Sequence, residues 1–267
     1  MSFILNGTEK FPLGSIERQF DCFVDSETLP DFKISFYEKN DEHFEKENFI
    51  KKIGDHRFYR FRDGLIIAND NCYVTVYNNF SCSDVYVPKY CHFPRQQISF
   101  LILQAYRFAL ANAEQFQMHS AVVMHDGFGV AFCGIPGAGK STQAHLWEEH
   151  LSAEALNLDQ PIVLFDNDSV FVSGSPWSGK EECYKDIQVP LKAIFFVEQA
   201  KDNSVQKLSI AESFSYLFLN NFLLPINDDI DKKHKDSILR VVSNVPVYRL
   251  NCTISKEAVD VAYNAIF

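Results

Sequence analysis

The sequence predicts an α/β protein, with a β-rich N-terminal region followed by a core of strands and helices built around a glycine-rich loop. Three observations carry that prediction. Residues 1–94 hold short β-branched and aromatic runs separated by turn residues. Residues 95–116 carry apolar side chains at helical spacing, and residues 134–142 form a glycine-rich link between an apolar strand and a helix. The predicted division is 1–94 for the β-rich region and 95–267 for the α/β core around the glycine-rich loop, with 95–116 as its linking helix.

In the first region FKISFY (32–37), HRFYRF (56–61), GLIIAN (64–69), CYVTVY (72–77) and DVYVPK (84–89) read as strands, because such side chains fit a half-buried pleated surface. Asp63-Gly64, residues 69–71 and Asn78-Asn79 punctuate them as turns, which predicts an antiparallel meander. The mixed-charge stretch 38–52 reads as a solvated loop or helix face. In 95–116, apolar residues at 98, 101, 102, 105, 106, 108 and 109 span a face wide enough for a mostly buried helix. SAVVMHDGFGVAFCG then gives two strands around a turn at 125–127, and STQAHLWEEHL gives a helix. Further strands are predicted at 161–165, 169–173, 191–197 and 247–250, and helices at 209–223, 227–243 and 254–266.

Composition removes several functions. The 267 residues carry 25 Lys+Arg against 35 Asp+Glu, a net charge of −10, so no basic excess is available to neutralise a phosphate backbone and nucleic acid is not expected as a partner. With 46% hydrophobic residues the chain has material for a large core. Seven cysteines, an odd number without a C-x-x-C pair, argue against a disulfide framework and a zinc knuckle and fit a reducing compartment. MSFILNGTEK lacks the apolar core of a signal peptide. The apolar stretch 98–111 is interrupted by Gln104 and Arg107, short of the roughly 18 residues a membrane span needs. The expected location is the cytoplasm, with no membrane partner; a homo-oligomer is compatible with the sequence.

Residues 134–142 read Gly-Ile-Pro-Gly-Ala-Gly-Lys-Ser-Thr, a full match to G-x-x-x-x-G-K-[ST]. Glycine is common enough that this pattern arises by chance in on the order of one chain in a hundred of this length, and its place between an apolar strand and a helix is what a phosphate loop requires. Gly134, Gly137 and Gly139, with Ala138 between them, let backbone N–H groups turn inward as a nest for phosphate oxygens. Lys140 supplies a mobile charge to the β- and γ-phosphates, the Ser141 hydroxyl is placed for Mg²⁺, and Thr142 completes the segment. The predicted ligands are ATP and Mg²⁺. A carboxylate for the metal should follow a neighbouring strand, and Asp159 in ALNLDQP is the best placed. Asp166 and Asp168 compete, but FDNDS reads as a hairpin turn. His119 is either a packed histidine or a group that assists proton transfer. GSPWSGK (174–180) is either an ordinary loop with a tryptophan anchor or a strand-terminal loop whose Lys180 neutralises charge developing during transfer.

Taken together, QMHSAVV, GVAFCGIPGAGKSTQAHLW, LNLDQPIV, GSPWSGK, VPLKAIFFVEQA and VPVYRLNC with the EAV that follows it resemble the HPr kinase/phosphorylase-like proteins, kin of the phosphoenolpyruvate carboxykinase fold. The resemblance covers residues 115–267 and runs to the stand-alone members, some of which accompany peptide-modification enzymes. It implies a P-loop core of that fold and transfer of the γ-phosphoryl group of ATP, with Mg²⁺, to a serine hydroxyl on a protein or peptide. Under it His119, Asp159 and Lys180 are the catalytic candidates; His119 matches the histidine before the P-loop hairpin and Asp159 the second member of an acidic pair. Leu158 stands where the first aspartate, thought to act as base, is usual. Thr142 stands where bifunctional members carry glutamate, which argues against phosphorylase activity. Two other readings remain in view: a nucleotide-binding accessory protein that positions a precursor peptide with little catalysis of its own, and a carboxykinase-like decarboxylase. The latter is disfavoured by the short chain and by the lack of a clear metal-binding His and Lys cluster with substrate arginines.

Overall fold

The structure, a computed structural model, describes residues 3–6, 19–23, 30–38, 49–69, 72–87, 95–221, 223 and 228–267. Its contacts divide the chain into two units, Met1–Ala113 with Leu224–Asp231, and Glu114–Leu223 with Lys232–Phe267.

The first unit holds a seven-stranded sheet of β1 (Phe3–Asn6), β2 (Phe32–Glu38), β3 (Phe49–Ile53), β4 (His56–Phe61), β5 (Gly64–Ala68), β6 (Tyr73–Tyr77) and β7 (Cys82–Val87), ordered β1-β2-β7-β6-β5-β4-β3. Strands β4 to β7 form an antiparallel meander as expected, and β3 extends it at the β4 edge. The rest departs from it, since β2 pairs with β7 and β1 with β2 in parallel. Parallel pairing needs a long return connection, which β3 to β6 provide. Within the charged stretch, residues 49–52 are strand rather than loop or helix face, paired to β4; residues 39–48 lie outside the described residues, as do 70–71 of the expected turn and 88–89 of the last run. Helix α1 (Arg95–Asn112) packs on β2, β6 and β7, burying Leu101, Ile102, Ala105, Phe108 and Ala109. It stops four residues before the predicted end because Glu114 takes a left-handed φ of 57°, which breaks the helical hydrogen bonding. The sequence boundary at 94/95 and the contact boundary at 113/114 differ by this one helix.

The second unit is built on nine strands: β8 (Phe116–Gln117), β9 (Ser120–His125), β10 (Phe128–Cys133), β11 (Glu154–Asn157), β12 (Ile162–Asp166), β13 (Ser169–Ser173), β14 (Gln188–Gln199), β15 (Ser204–Lys207) and β16 (Val247–Cys252). The order is β11-β9-β10-β14-β13-β12-β8, with β16 joined to β14 and β15 to β16. Four helices belong wholly or mainly to it: α2 (Lys140–Leu151), α3 (Ile210–Asn220), α4 (Asp228–Asn244) and α5 (Lys256–Tyr263). The helices predicted at 209–223 and 227–243 correspond to α3 and α4; residues 222 and 227 lie outside the described residues. Strand alternation feeds two apolar layers. Val130 and Phe132 of β10 join Ala144 and Trp147 of α2 and Val259 of α5. Ala131 and Cys133 join Leu217 of α3 and Ile238 and Val241 of α4. Each fully buried large side chain in these layers contributes about 1.5–3 kcal/mol.

Strand β14 is long enough to serve two neighbours. Its first residues pair antiparallel with β13, and its last residues run parallel between β10 and β16, with Phe132 beside Phe195 and Val197 beside Leu250. Because β9 is antiparallel to both β10 and β11, the C-terminal ends of β10, β11, β14 and β16 and the start of β9 share one end of the sheet. That is where open α/β sheets place their ligands. Among the described residues no helix is long and apolar enough to cross a membrane.

Candidate active site

The glycine-rich loop leaves the end of β10 at Gly134 and enters α2 at Lys140. Gly134 has φ 145°, and a Cβ there would lie 3.1 Å from both Ala138 Cβ and the Val197 carbonyl oxygen, so conformation and space both demand glycine. Gly137 and Gly139 also take positive φ, 82° and 105°. Ala138 N–H closes the turn on Ile135 O at 3.1 Å. No side chain caps α2, which leaves its leading N–H groups for an anion. Lys140 Nζ donates to Gly134 O at 3.0 Å and Ile135 O at 3.4 Å, folding the ammonium onto its own loop. Partial burial holds its pKa below the ordinary lysine value; Cys133 and Asp159 pull the other way. Ser141 and Thr142 follow, both half-buried, on the first turn of α2.

Asp159 and His119 meet one strand further out. His119 Nδ1 lies 3.1 Å from Asp159 Oδ1, with both side chains about 30% exposed. The Gln160 side-chain amide nitrogen also lies 3.2 Å from His119 Nδ1, so this ring nitrogen stands between a carboxylate oxygen and an amide. Two consecutive asparagines at the end of α3 clamp the histidine backbone: His119 N–H donates to Asn221 Oδ1 at 2.7 Å, and Asn220 Nδ2 donates to His119 O at 2.8 Å. The carboxylate is set by a turn around fully buried Asn157, whose Oδ1 accepts from Asp159 N at 3.0 Å and Gln160 N at 2.8 Å.

The same asparagine ties in the 174–180 loop. Asn157 Nδ2 donates to Ser175 O at 3.2 Å, Ser175 Oγ donates to Gln160 O at 2.6 Å, and Trp177 N donates to Ser175 Oγ at 3.1 Å. The loop ends against the carboxylate: Gly179 has φ 79°, and a Cβ on it would come within 3.0 Å of Asp159 Cβ. Lys180 is the next residue, exposed, and its side chain makes no ion pair or hydrogen bond among the described residues.

The sequence-predicted residues thus fall into three groups. Gly134, Gly137, Ala138, Gly139, Lys140, Ser141 and Thr142 form one turn; His119 and Asp159 touch; Lys180 is brought beside Asp159 by its neighbour without engaging it. Asp166 and Asp168 lie in the β12–β13 hairpin turn, where the Arg240 guanidinium donates to Asn167 O. Leu158 is 7% exposed and belongs to the apolar cluster of Phe132, Ala144 and Trp147, turned from the surface where Asp159 sits. The sequence reading missed Asn157, Ser175, Gly179, Asn220, Asn221 and Gln199, whose Nε2 donates to Gly137 O at 2.9 Å. Asn157, two residues before Asp159, carried a local signal as an Asx turn. Asn221, about a hundred residues from His119, carried none.

No curated protein matches the sequence. Among solved structures, the Hpr(Ser) kinase/phosphatase from Coxiella burnetii is similar at 10% identity and a TM-score of 0.34, over 56% of this chain and 95% of that one, an overlap too loose to bear on activity. A family model described as SynChlorMet cassette protein ScmC matches residues 96–261. That span holds the glycine-rich loop, His119, Asp159 and the loop ending at Lys180, and the chain belongs to this ScmC family.

Proposed function

We propose that the chain is an ATP-dependent phosphotransferase with a phosphoenolpyruvate carboxykinase/HPr kinase-like core, moving the γ-phosphoryl group to a serine hydroxyl on a protein or peptide. One observation carries this reading: a glycine-rich loop with its lysine and an Asp159–His119 pair stand at the same end of one sheet. The loop amides and Lys140 hold the phosphate chain, the ammonium exchanging its two loop carbonyls for phosphate oxygens. The serine oxygen attacks the γ-phosphorus in line as the bond to the β,γ-bridging oxygen breaks, and ADP leaves. The hydroxyl proton passes to the His119 ring, and Asp159, 3.1 Å from its Nδ1, stabilises the charged imidazolium. Lys180, exposed beside Asp159, neutralises charge on the transferring group.

The oxygen donors that would hold Mg²⁺ are Ser141 and Asp159. Among the described residues no group of three or more His, Cys, Asp or Glu is placed to hold a metal, and Mg²⁺ needs no such cage, since it commonly binds one or two protein oxygens together with substrate phosphates. When bound, it supplies charge neutralisation on those phosphates.

A second reading, a nucleotide-binding accessory protein for a peptide-modification cluster, is favoured by Leu158. With that side chain in the core, Asp159 has no partner carboxylate from the preceding position. Membership in a family named for a cassette fits either reading, with the acceptor or the partner supplied by another product of the cassette.

Equilibrium binding of labelled ATP with Mg²⁺, followed by transfer to serine-bearing peptides of the same cassette, tests the proposal. The expected result is tight binding that Lys140→Ala weakens by about a hundredfold, and transfer that Asp159→Asn lowers by about a thousandfold. Equal ATP binding by wild type and Lys140→Ala would overturn the phosphate-loop assignment. Binding without transfer, unaltered by Asp159→Asn, would select the accessory role.

A further inference from the structure

The buried face of α4 carries one side chain that its apolar pattern does not call for. Ile238, Val241 and Val242 stand on that face at helical spacing and are at most 6% exposed; His234, one turn before Ile238, is 3% exposed. A ring nitrogen taken out of water costs free energy unless it is bonded. His234 Nε2 lies 2.9 Å from Asn221 O, and a main-chain carbonyl only accepts, so Nε2 carries the hydrogen and donates it. The ring packs against Phe116 of β8 and Phe218 of α3, with centroids 5.8 and 6.5 Å away. It therefore touches both the helix whose end holds His119 and the strand that leads to it.

Asn221 carries that bond onward. It is 1% exposed, and each of its polar groups is engaged: N and Nδ2 donate to Leu217 O at 3.0 and 2.8 Å, O accepts from His234, and Oδ1 accepts from His119 N at 2.7 Å. We infer that His234 is a positioning residue for His119, acting through Asn221. The inference rests on the phosphotransferase reading, in which the His119 ring takes the hydroxyl proton, and adds to it a residue that stands behind the site rather than in it. Pinning the Asn221 carbonyl from α4 fixes where its Oδ1 points. Oδ1 in turn holds the His119 main chain, from which the ring reaches Asp159 at 3.1 Å. An apolar residue at 234 would leave the Asn221 carbonyl buried without that donor. Turning the carbonyl toward water relieves the cost and carries Oδ1 away from His119.

The test follows full-chain variants by two readouts: phosphoryl transfer from Mg²⁺-ATP to serine-bearing peptides of the cassette, and hydrogen exchange at the His119 amide. His234→Leu removes the donor and keeps the bulk. Its kcat should fall about tenfold or more while KM for Mg²⁺-ATP stays within about twofold, since the chain of bonds runs to His119 and not to the glycine-rich loop. Exchange protection of the His119 N–H should drop about tenfold, with the β10 amides unchanged. His234→Gln keeps an N–H donor at similar reach and should restore both readouts. Asn221→Ala should lower kcat by as much or more, and adding His234→Leu to it should lower kcat no further. Ile238→Val, a buried change one turn along α4, lowers the melting temperature and should leave kcat and the His119 amide unmoved, which separates positioning from loss of stability. If His234→Leu does not fold, His234→Asn, too short to reach the carbonyl, takes its place with the same expectation. An unchanged His119 amide in the Leu or Asn variant, additive losses with Asn221→Ala, or an equal loss in Ile238→Val overturns the inference while phosphotransfer stands. No transfer by wild type overturns the phosphotransferase reading, and the inference falls with it.

Discussion

Two turns meet at the common end of the parallel strands, and different forces hold them. The 134–140 turn is a backbone object: positive-φ glycines, a carbonyl 3.1 Å from where a Cβ would stand, and a lysine folded onto its own loop. The 157–160 turn and the 174–180 loop form a side-chain object in which Asn157 and Ser175 make most of the bonds. The first turn leaves the leading N–H groups of α2 without a side-chain cap and so suits a ligand that varies in position. The second ties the Asp159 and Gln160 amides to the Asn157 side chain and so suits a carboxylate that must stay put.

That contrast can be broken from the second turn outward. Leu158→Asp places an unpaired carboxylate in the cluster of Phe132 and Trp147 and should cost about 3 kcal/mol or more, read as a fall in chemical-denaturation midpoint, with no gain in phosphoryl transfer. A stable variant with raised transfer would mean that position 158 turns toward the site. Asn157→Leu keeps the volume and strands the amides of Asp159 and Gln160; a loss of about 2–3 kcal/mol and a drop in transfer are expected from the same unfolding curves and a kinase assay. Gly179→Ala meets both a φ of 79° and the Asp159 side chain, and should cost about 1–2 kcal/mol, lowering transfer while ATP affinity holds.

The smallest effect concerns a latch between α2 and the same loop. His145 bridges Glu148 at 2.9 Å and Glu181 at 3.1 Å, and those hydrogen bonds raise its pKa above the ordinary 6.5. A histidine raised on folding adds stability that is complete below about pH 6.5 and is lost as pH climbs through the higher folded value. At 46% exposure the contribution stays under about 1 kcal/mol. His145→Gln should flatten the stability profile above pH 6.5, read by thermal melts across that window; an unchanged slope would remove the latch.

The contrast also explains what the sequence made legible. The glycine-rich turn is local and tied to residue type, so Gly134 to Lys140 announced its place between β10 and α2. The meander was readable because each strand carries its own alternation, whereas the parallel addition of β2 to β7 depends on a pairing across the chain that no run encodes. Asp159 and His119 were identifiable as residues, but what orients them was not. Asn220 and Asn221 sit about a hundred positions from His119, and Ser175 eighteen from Asn157, so common polar residues act there through contacts made only after folding. Leu158 was visible as a departure from a pattern; its burial, which decides what the departure means, was not.

The proposed phosphotransfer stands on the turn into α2 gripping the triphosphate of a nucleotide. A crystal structure of the full chain with a non-hydrolysable ATP analogue and Mg²⁺ tests it most directly. Phosphate oxygens are expected against the N–H groups of the loop, with Lys140 Nζ moved from Gly134 O and Ile135 O onto them. Lys140 still folded on its own carbonyls, with the analogue bound elsewhere or absent, would contradict it.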